Sequence, residues 1–240
     1  MICHQQKCLF IHIPKAAGQS VESVFVEKQG LTWQERAPLL LRANSEPKLG
    51  PPRLAHLTAQ EYIDCGHISK DLFQAYFKFS FVRNPWARLV SEYKYRRLHG
   101  DKAYQADFKT FLFRYFPKPS DDDYINHKDY YRHVLPQSHF LFDENGHQLV
   151  DYIGKFERLQ HDFDYVCKAI GLSQTMLPHK NTSKAIGVKQ RLKLKLSQLL
   201  PTAQPKKAYQ EYYDSESREF VAELYAQDIE NFNYQFNNES

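Results

Sequence analysis

The residues best placed to do chemistry lie in Ile13-Pro-Lys-Ala-Ala-Gly-Gln-Ser20. Lys15 is followed by the small residues Ala16, Ala17 and Gly18, then by Gln19 and Ser20. At a helix start the backbone N–H groups point outward and the helix dipole favours an anion, while small side chains let a phosphate approach. Lys15 adds a full positive charge on a flexible stem. The stretch lacks the G-x-x-x-x-G-K-[ST] spacing of nucleotide-hydrolysing loops. It therefore predicts a cradle for a phosphate-bearing ligand other than ATP with its metal.

A second constellation is Phe79-Ser-Phe-Val-Arg-Asn-Pro-Trp-Ala-Arg-Leu-Val-Ser-Glu-Tyr93. Arg83 follows an apolar run, at the C-terminal edge of a strand, where open α/β sheets bind ligands. Ser91 comes about two helical turns after Pro85. An Arg fork and a hydroxyl so arranged would clamp one phosphate. Equally, Arg83 would cap an acidic neighbour and Ser91 would be a solvated helix residue. On the residues alone both readings stand.

These groups need a frame. Cys8 to Ile13 reads as a buried strand, and Ser20 to Lys28 places Val21, Val24 and Phe25 on one helical face. Phe77 to Val82 is a second buried strand. Asn84-Pro85 starts a helix, with Asn84 as N-cap and Pro85 at the first position, and Trp86, Leu89, Val90 and Tyr93 follow at i, i+3, i+4 and i+7. Leu54 to Ile63 and Asp71 to Tyr76 read as short helices, Pro117 to Asp123 as a loop and Leu149 to Phe156 as a third strand. Leu159 to Ile170 forms an amphipathic helix stopped by Gly171, and a last helix covers about Ser215 to Ala226. The alternation predicts an α/β, P-loop-like three-layer fold with a central, mainly parallel sheet flanked by helices. Residues 1–240 form one catalytic domain in this reading, with excursions at the proline-broken 30–53 and the basic 187–206.

Composition limits the classes available. Lysine and arginine exceed aspartate and glutamate by 32 to 28, a net charge of +4 that suits a local phosphate site without marking a nucleic-acid binder. The four cysteines, Cys3, Cys8, Cys65 and Cys167, match no zinc ribbon and read as buried or incidental thiols, with no metal expected. No stretch approaches the ~18 apolar residues of a membrane span, and no signal peptide is evident. The chain reads as soluble and cytoplasmic.

Ile13-Pro-Lys-Ala-Ala-Gly-Gln-Ser20 together with Phe81-Val-Arg-Asn-Pro-Trp-Ala-Arg-Leu-Val-Ser-Glu-Tyr93 resembles the carbohydrate sulfotransferase family, which includes the heparan sulfate 2-O- and chondroitin 4-O-sulfotransferases. Pro136-Gln-Ser-His139, Val150-Asp-Tyr-Ile-Gly-Lys-Phe-Glu157 and Leu177-Pro-His-Lys-Asn-Thr-Ser183 extend the resemblance, in order, over nearly the whole chain. It implies PAPS (3′-phosphoadenosine 5′-phosphosulfate) as donor, 3′,5′-ADP as product and a carbohydrate hydroxyl as acceptor. By the resemblance, Lys15 and Ala16 to Ser20 would hold the 5′-phosphosulfate, Arg83 and Ser91 the 3′-phosphate, and Asn181, Thr182, Ser183 and Lys184 would close over the nucleotide.

In-line sulfuryl transfer needs a base for the acceptor hydroxyl, and neutral histidine suits that role near pH 7. Among eleven histidines, His56 matches the family's position for it. His67 and His12 follow, and Glu61 or Glu22 are carboxylate alternatives. His139 and His179 read as structural or nucleotide-side, and His99, His127, His133, His147 and His161 as surface residues. Arg53, Arg96 and Arg97 are candidate acceptor contacts. Arg36, Arg42 and the group Lys189, Arg191, Lys193 and Lys195 offer further charge, though a solvated helix face explains the last group equally well. Two other functions fit a phosphate cradle: a nucleotide-dependent kinase, and a non-catalytic polyanion- or glycan-binding module.

Overall fold

A computed structural model describes residues 1–178 and 207–237. In chain order its strands are β1 (Ile2–Cys3), β2 (Cys8–Ile11), β3 (Phe77–Val82), the two-residue β4 (Asp122–Asp123) and β5 (Lys128–Asp129), and β6 (Tyr152–Lys155). Its helices are α1 (Gly18–Lys28), α2 (Glu61–Asp64), α3 (Lys70–Ala75), α4 (Pro85–His99), α5 (Phe108–Arg114), α6 (Tyr130–Val134), α7 (Ser138–Leu141), α8 (Leu159–Ala169), α9 (Ser215–Leu224) and α10 (Ala226–Phe232).

The main sheet runs β1-β2-β3-β6, with β2, β3 and β6 parallel and β1 antiparallel at the edge. β2 is a continuous apolar run because both of its faces are covered, while β3 also buries Lys78 and Ser80, which donate to Tyr76 O (2.8 Å) and Ile11 O (2.6 Å). Alternation sends Leu9, Ile11 and Val82 into a core shared with Leu57, Tyr62 and Phe140. Phe10, Phe79 and Phe81 point the other way, onto Val21 and Phe25 of α1 and Phe163 and Val166 of α8. A third cluster joins Trp86, Leu89 and Tyr93 of α4 to Phe108 and Phe111 of α5 and Val221 of α9. The expected α/β architecture is thus present.

The register Ile11↔Ser80 brings the ends of β2 and β3 to the same edge, where the Lys15 loop and Arg83 emerge side by side. Asn84 caps α4 by accepting from Ala87 N, Pro85 fills its first turn and Gly100 ends it at φ 84°.

Elsewhere the structure departs from expectation. Leu54 to Ile63 is not one helix but a 3₁₀ turn, Leu54–His56, followed by α2. Thr58 and Glu61 bond reciprocally, Thr58 N to Glu61 Oε2 and Glu61 N to Thr58 Oγ1, and so restart the helix after the turn. The third strand is only Tyr152–Lys155, and the last helix divides at Tyr225, whose hydroxyl donates to Val134 O. The acidic loop contains β4, which pairs antiparallel with β5 (Asp122↔Asp129). The 30–53 excursion consists of 3₁₀ turns whose Leu39 and Leu41 enter the core, while 187–206 lies outside the described residues. No described helix is long and apolar enough to cross a membrane.

Candidate active site

The loop between β2 and α1 alternates its backbone handedness. Lys15 and Ala17 take φ 70° and 68°, a conformation that costs an L-residue roughly 1–2 kcal/mol and turns successive N–H groups into a concave anion nest. Ala17 is the N-cap of α1 and no side chain caps that terminus. Ser20 N donates to Ala17 O (3.0 Å), and the N–H groups of Gly18 and Gln19 at the start of this 11-residue helix are left to a ligand. Ala16, Ala17, Gly18 and Ser20 are buried, Lys15 is half-buried and Gln19 is exposed. Arg88 braces the loop from below, its guanidinium donating to Pro14 O (3.0 Å), Leu135 O (2.9 Å) and His133 O (3.0 Å).

Lys15 Nζ sits 4.0 Å from the Tyr95 ring centroid. Burial, with Arg83, Arg96 and Arg53 nearby, pushes the Lys15 ammonium down to about 8 against the pull of Glu92. Arg83 Nη1 donates to Lys15 O at 3.2 Å, and its guanidinium lies 4.1 Å over the Phe156 ring. Burial lowers Arg83 to about 10, although Glu157 opposes the shift. Ser91 precedes Tyr95 by one turn of α4, so it shares the face on which Lys15 rests. The structure therefore brings Lys15 and Arg83 to one sheet edge, with Ser91 on α4 one turn before Tyr95.

Arg83's main chain is pinned from both sides by Gln137. Arg83 N donates to Gln137 Oε1 and Gln137 Nε2 donates to Arg83 O, both at 2.8 Å. Asp228 of α10 in turn accepts from Gln137 N (2.8 Å) and Ser138 N (2.7 Å). Sequence reasoning attached Gln137 to the resemblance but did not foresee Asp228.

Behind the cradle runs a buried line of ionisable groups. His12 Nδ1 meets Glu22 Oε1 at 2.6 Å. Its ring occupies the space beside Gly18, where a Cβ would come within 1.9 Å of His12 Nε2. The His12 ring stands edge-on to His56 (centroids 5.0 Å), and His56 edge-on to His133 (4.9 Å). Asp129 Oδ2 lies 4.0 Å from His56 Nδ1 and 3.5 Å from His133 Nε2. Glu92 Oε1 lies 3.1 Å from His133 Nδ1 and accepts from Arg96 Nε at 2.7 Å.

Burial, helped by His133, His12, Arg53 and Arg132, holds His56 well below the usual imidazole range. Burial acts on His133 in the same sense, but Glu92 and Asp129 outweigh it and raise that residue. Burial would raise Glu92 and Asp129; His133 and Arg96 overcome it, bringing Glu92 to about 2 and also lowering Asp129, with Arg53 contributing there. A neutral imidazole beside a fixed carboxylate can accept a proton.

The remaining expectations divide. Arg53 is exposed at the rim, 3.9 Å from Asp129, and Arg97 is exposed beside the Tyr93 hydroxyl. Arg96 is buried and engaged by Glu92, Asp101 and Asp129. Glu22 is taken by His12, Glu61 by Arg132 (2.7 Å) and His67 by Leu49 O (2.8 Å). His133, expected at the surface, is only 4% exposed because α6 packs its inner face on α4. His99, His127, His139, His147 and His161 are exposed. His179, Asn181, Thr182, Ser183, Lys184, Lys189, Arg191, Lys193 and Lys195 lie outside the described residues. Sequence reasoning missed Asp129, Glu92 and the role of His133. Their only signal was the i, i+4 spacing of Glu92/Arg96 and Asp129/His133.

Carbohydrate sulfotransferase 10 of Homo sapiens is 25% identical over 193 residues, 71% of this chain and 52% of its own length. Carbohydrate sulfotransferase 14 of Danio rerio is 23% identical over 208 residues, 76% of this chain and 51% of that protein. An uncharacterized protein of Archaeoglobus fulgidus is 32% identical over 116 residues, 48% of this chain and 85% of that one. The chain thus spans about half the length of the carbohydrate sulfotransferases it matches. No solved structure matches it. The profile of the sulfotransferase family fits residues 1–235, and the chain belongs to that family.

Proposed function

We propose that this protein transfers a sulfo group from PAPS to a hydroxyl of a carbohydrate acceptor, with His56 as general base. The observation that carries the reading is the convergence of two cations, Lys15 in the nest and Arg83 bonded to its backbone, with a buried neutral histidine close behind. A donor phosphorylated at both ends matches two such cations, and PAPS supplies an activated sulfo group on a phosphate leaving group. Lys15, the N–H groups of Ala17, Gly18 and Gln19 and the hydroxyl of Ser20 would hold the 5′ end, and Arg83 and Ser91 the 3′-phosphate; the Ala16 and Ser20 N–H groups already serve Ile13 O and Ala17 O. Asn181, Thr182, Ser183 and Lys184 would complete the nucleotide site.

His56 Nε2 takes the acceptor's hydroxyl proton as that oxygen bonds to sulfur. Lys15 meets the charge left on the phosphate oxygen as its bond to sulfur breaks. Positioning and fixed charge do most of the work in such displacements. Arg53, exposed beside Asp129, and the exposed Arg97 would receive acidic groups of the acceptor, and Arg96 would act from within its buried ion pairs. The names of the relatives favour a carbohydrate over other hydroxyl acceptors.

The test is incubation of the protein with sulfur-labelled PAPS and a panel of glycans. Label transfer with release of 3′,5′-ADP, abolished in His56→Ala while 3′,5′-ADP still binds, supports the reading. Glycan binding without release of 3′,5′-ADP would instead mark a binding module, and transfer of phosphate from ATP would mark a kinase.

A further inference from the structure

We infer that Asp129 is the positioning residue of His56: its Oδ2 accepts from His56 Nδ1–H, fixes the tautomer that leaves Nε2 free, and stabilises the imidazolium formed during transfer. The inference rests on the reading of His56 as base. It starts from two orphaned atoms. His56 Nδ1 and Asp129 Oδ2 are both buried without a hydrogen-bond partner, and they face each other across 4.0 Å. Each side chain is only 7% exposed, so neither atom faces bulk solvent. Base–orienter contacts are commonly long without substrate and tighten when it binds, so this separation is one the cycle can close.

Asp129 is also built to stay charged. Arg96 Nη2 lies 3.6 Å from its Oδ1, while His133 Nε2 and Arg53 Nε lie 3.5 and 3.9 Å from its Oδ2. Its anchoring is local: β5 pairs with β4 at Asp122↔Asp129, and α6 begins at the next residue. Every charged group facing His56 fits the scheme. His12 with Glu22 stands on the β2 side, His133 with Glu92 on the α6 and α4 side, and Arg53 and Arg132 complete the surroundings. Of these, Asp129 presents the carboxylate oxygen that stands without a partner before His56 Nδ1.

The same three residues, His56, Asp129 and His133, offer nitrogen and oxygen atoms within 4.8 Å of one another, which is also ligand spacing for a cation. Arg96 and Arg53 beside Asp129 disfavour that use, because a bound dication would meet two fixed positive charges.

The test compares wild type, Asp129→Asn, Asp129→Glu and His56→Ala. Asp129→Asn keeps the shape and removes the charge. We expect kcat to fall about 100- to 1,000-fold, with KM for PAPS and affinity for 3′,5′-ADP unchanged. Its acid limb should move to lower pH, since loss of the anion lowers the proton affinity of His56, and Asp129→Glu should recover part of kcat. Wild-type kcat and an unshifted acid limb in a folded Asp129→Asn would overturn the inference while leaving the base intact. Undiminished turnover in His56→Ala would overturn the base itself. Should Asp129→Asn fail to fold, nitrogen NMR of wild-type histidines decides: a proton on His56 Nδ1 supports the inference and one on Nε2 refutes it. A stoichiometric divalent metal in the purified protein, lost on adding a chelator together with activity, would also refute it.

Discussion

The cradle and the histidine cluster touch at Gly18 and His12 but are built by opposite means. The cradle is contiguous in sequence, and its main recognition elements are backbone N–H groups held by positive φ at Lys15 and Ala17. The cluster is drawn from separated segments, His12 and Glu22, His56, Glu92 and Arg96, and Asp129 and His133, and consists of side chains alone. A main-chain site tolerates most changes to the side chains around it. A buried side-chain site does not, because each member removed leaves a partner unsatisfied. The difference teaches that damage to the first should appear as lost binding or turnover, and damage to the second as lost stability as well.

Lys15→Ala should cost the most, lowering turnover roughly 1,000-fold with little change in melting temperature; a melting temperature that falls with it would erase the distinction. Glu92→Gln comes next. It strips His133 and Arg96 of a buried anion and should destabilise the protein by about 3 kcal/mol, measured by denaturant unfolding. That contribution from Glu92 is present above the unfolded carboxylate value near 4.3 and fades as pH falls toward about 2, so the variant and wild type should converge in acid. Arg83→Ala should weaken 3′,5′-ADP by about 2 kcal/mol in titration calorimetry and leave 5′-AMP nearly unaffected. Equal losses for both nucleotides would mean that Arg83 does not read the 3′-phosphate. The smallest effect is in pH. Lys15 is charged below about 8, so 3′,5′-ADP affinity should hold at neutral pH and fall by at most tenfold per unit as pH rises past 8.

The same contrast explains what could be read from the sequence. β2, β3, α1, α4 and α8 followed from apolar periodicity and caps, and the cradle from a continuous motif. The cluster did not. Glu92/Arg96 and Asp129/His133 have the spacing of ordinary surface ion pairs, and nothing local states that these faces are buried against each other. His56 stood out by resemblance rather than by its neighbours. Of the short helices, α5 carries local signals, an Asp107 cap and Phe108, Phe111 and Leu112 at i, i+3 and i+4, whereas α7 rests on a tertiary partner, starting where Asp228 receives Gln137 N and Ser138 N.

The path from Asp228 through Gln137 ties Arg83, at the end of β3, to a helix close to the other end of the described chain. Without Asp228 the side chain of Gln137 would still reach Arg83, but its own main chain would lose the carboxylate that fixes it. Removing the chain from residue 228 onward should therefore loosen Arg83 without changing a single residue of the cradle.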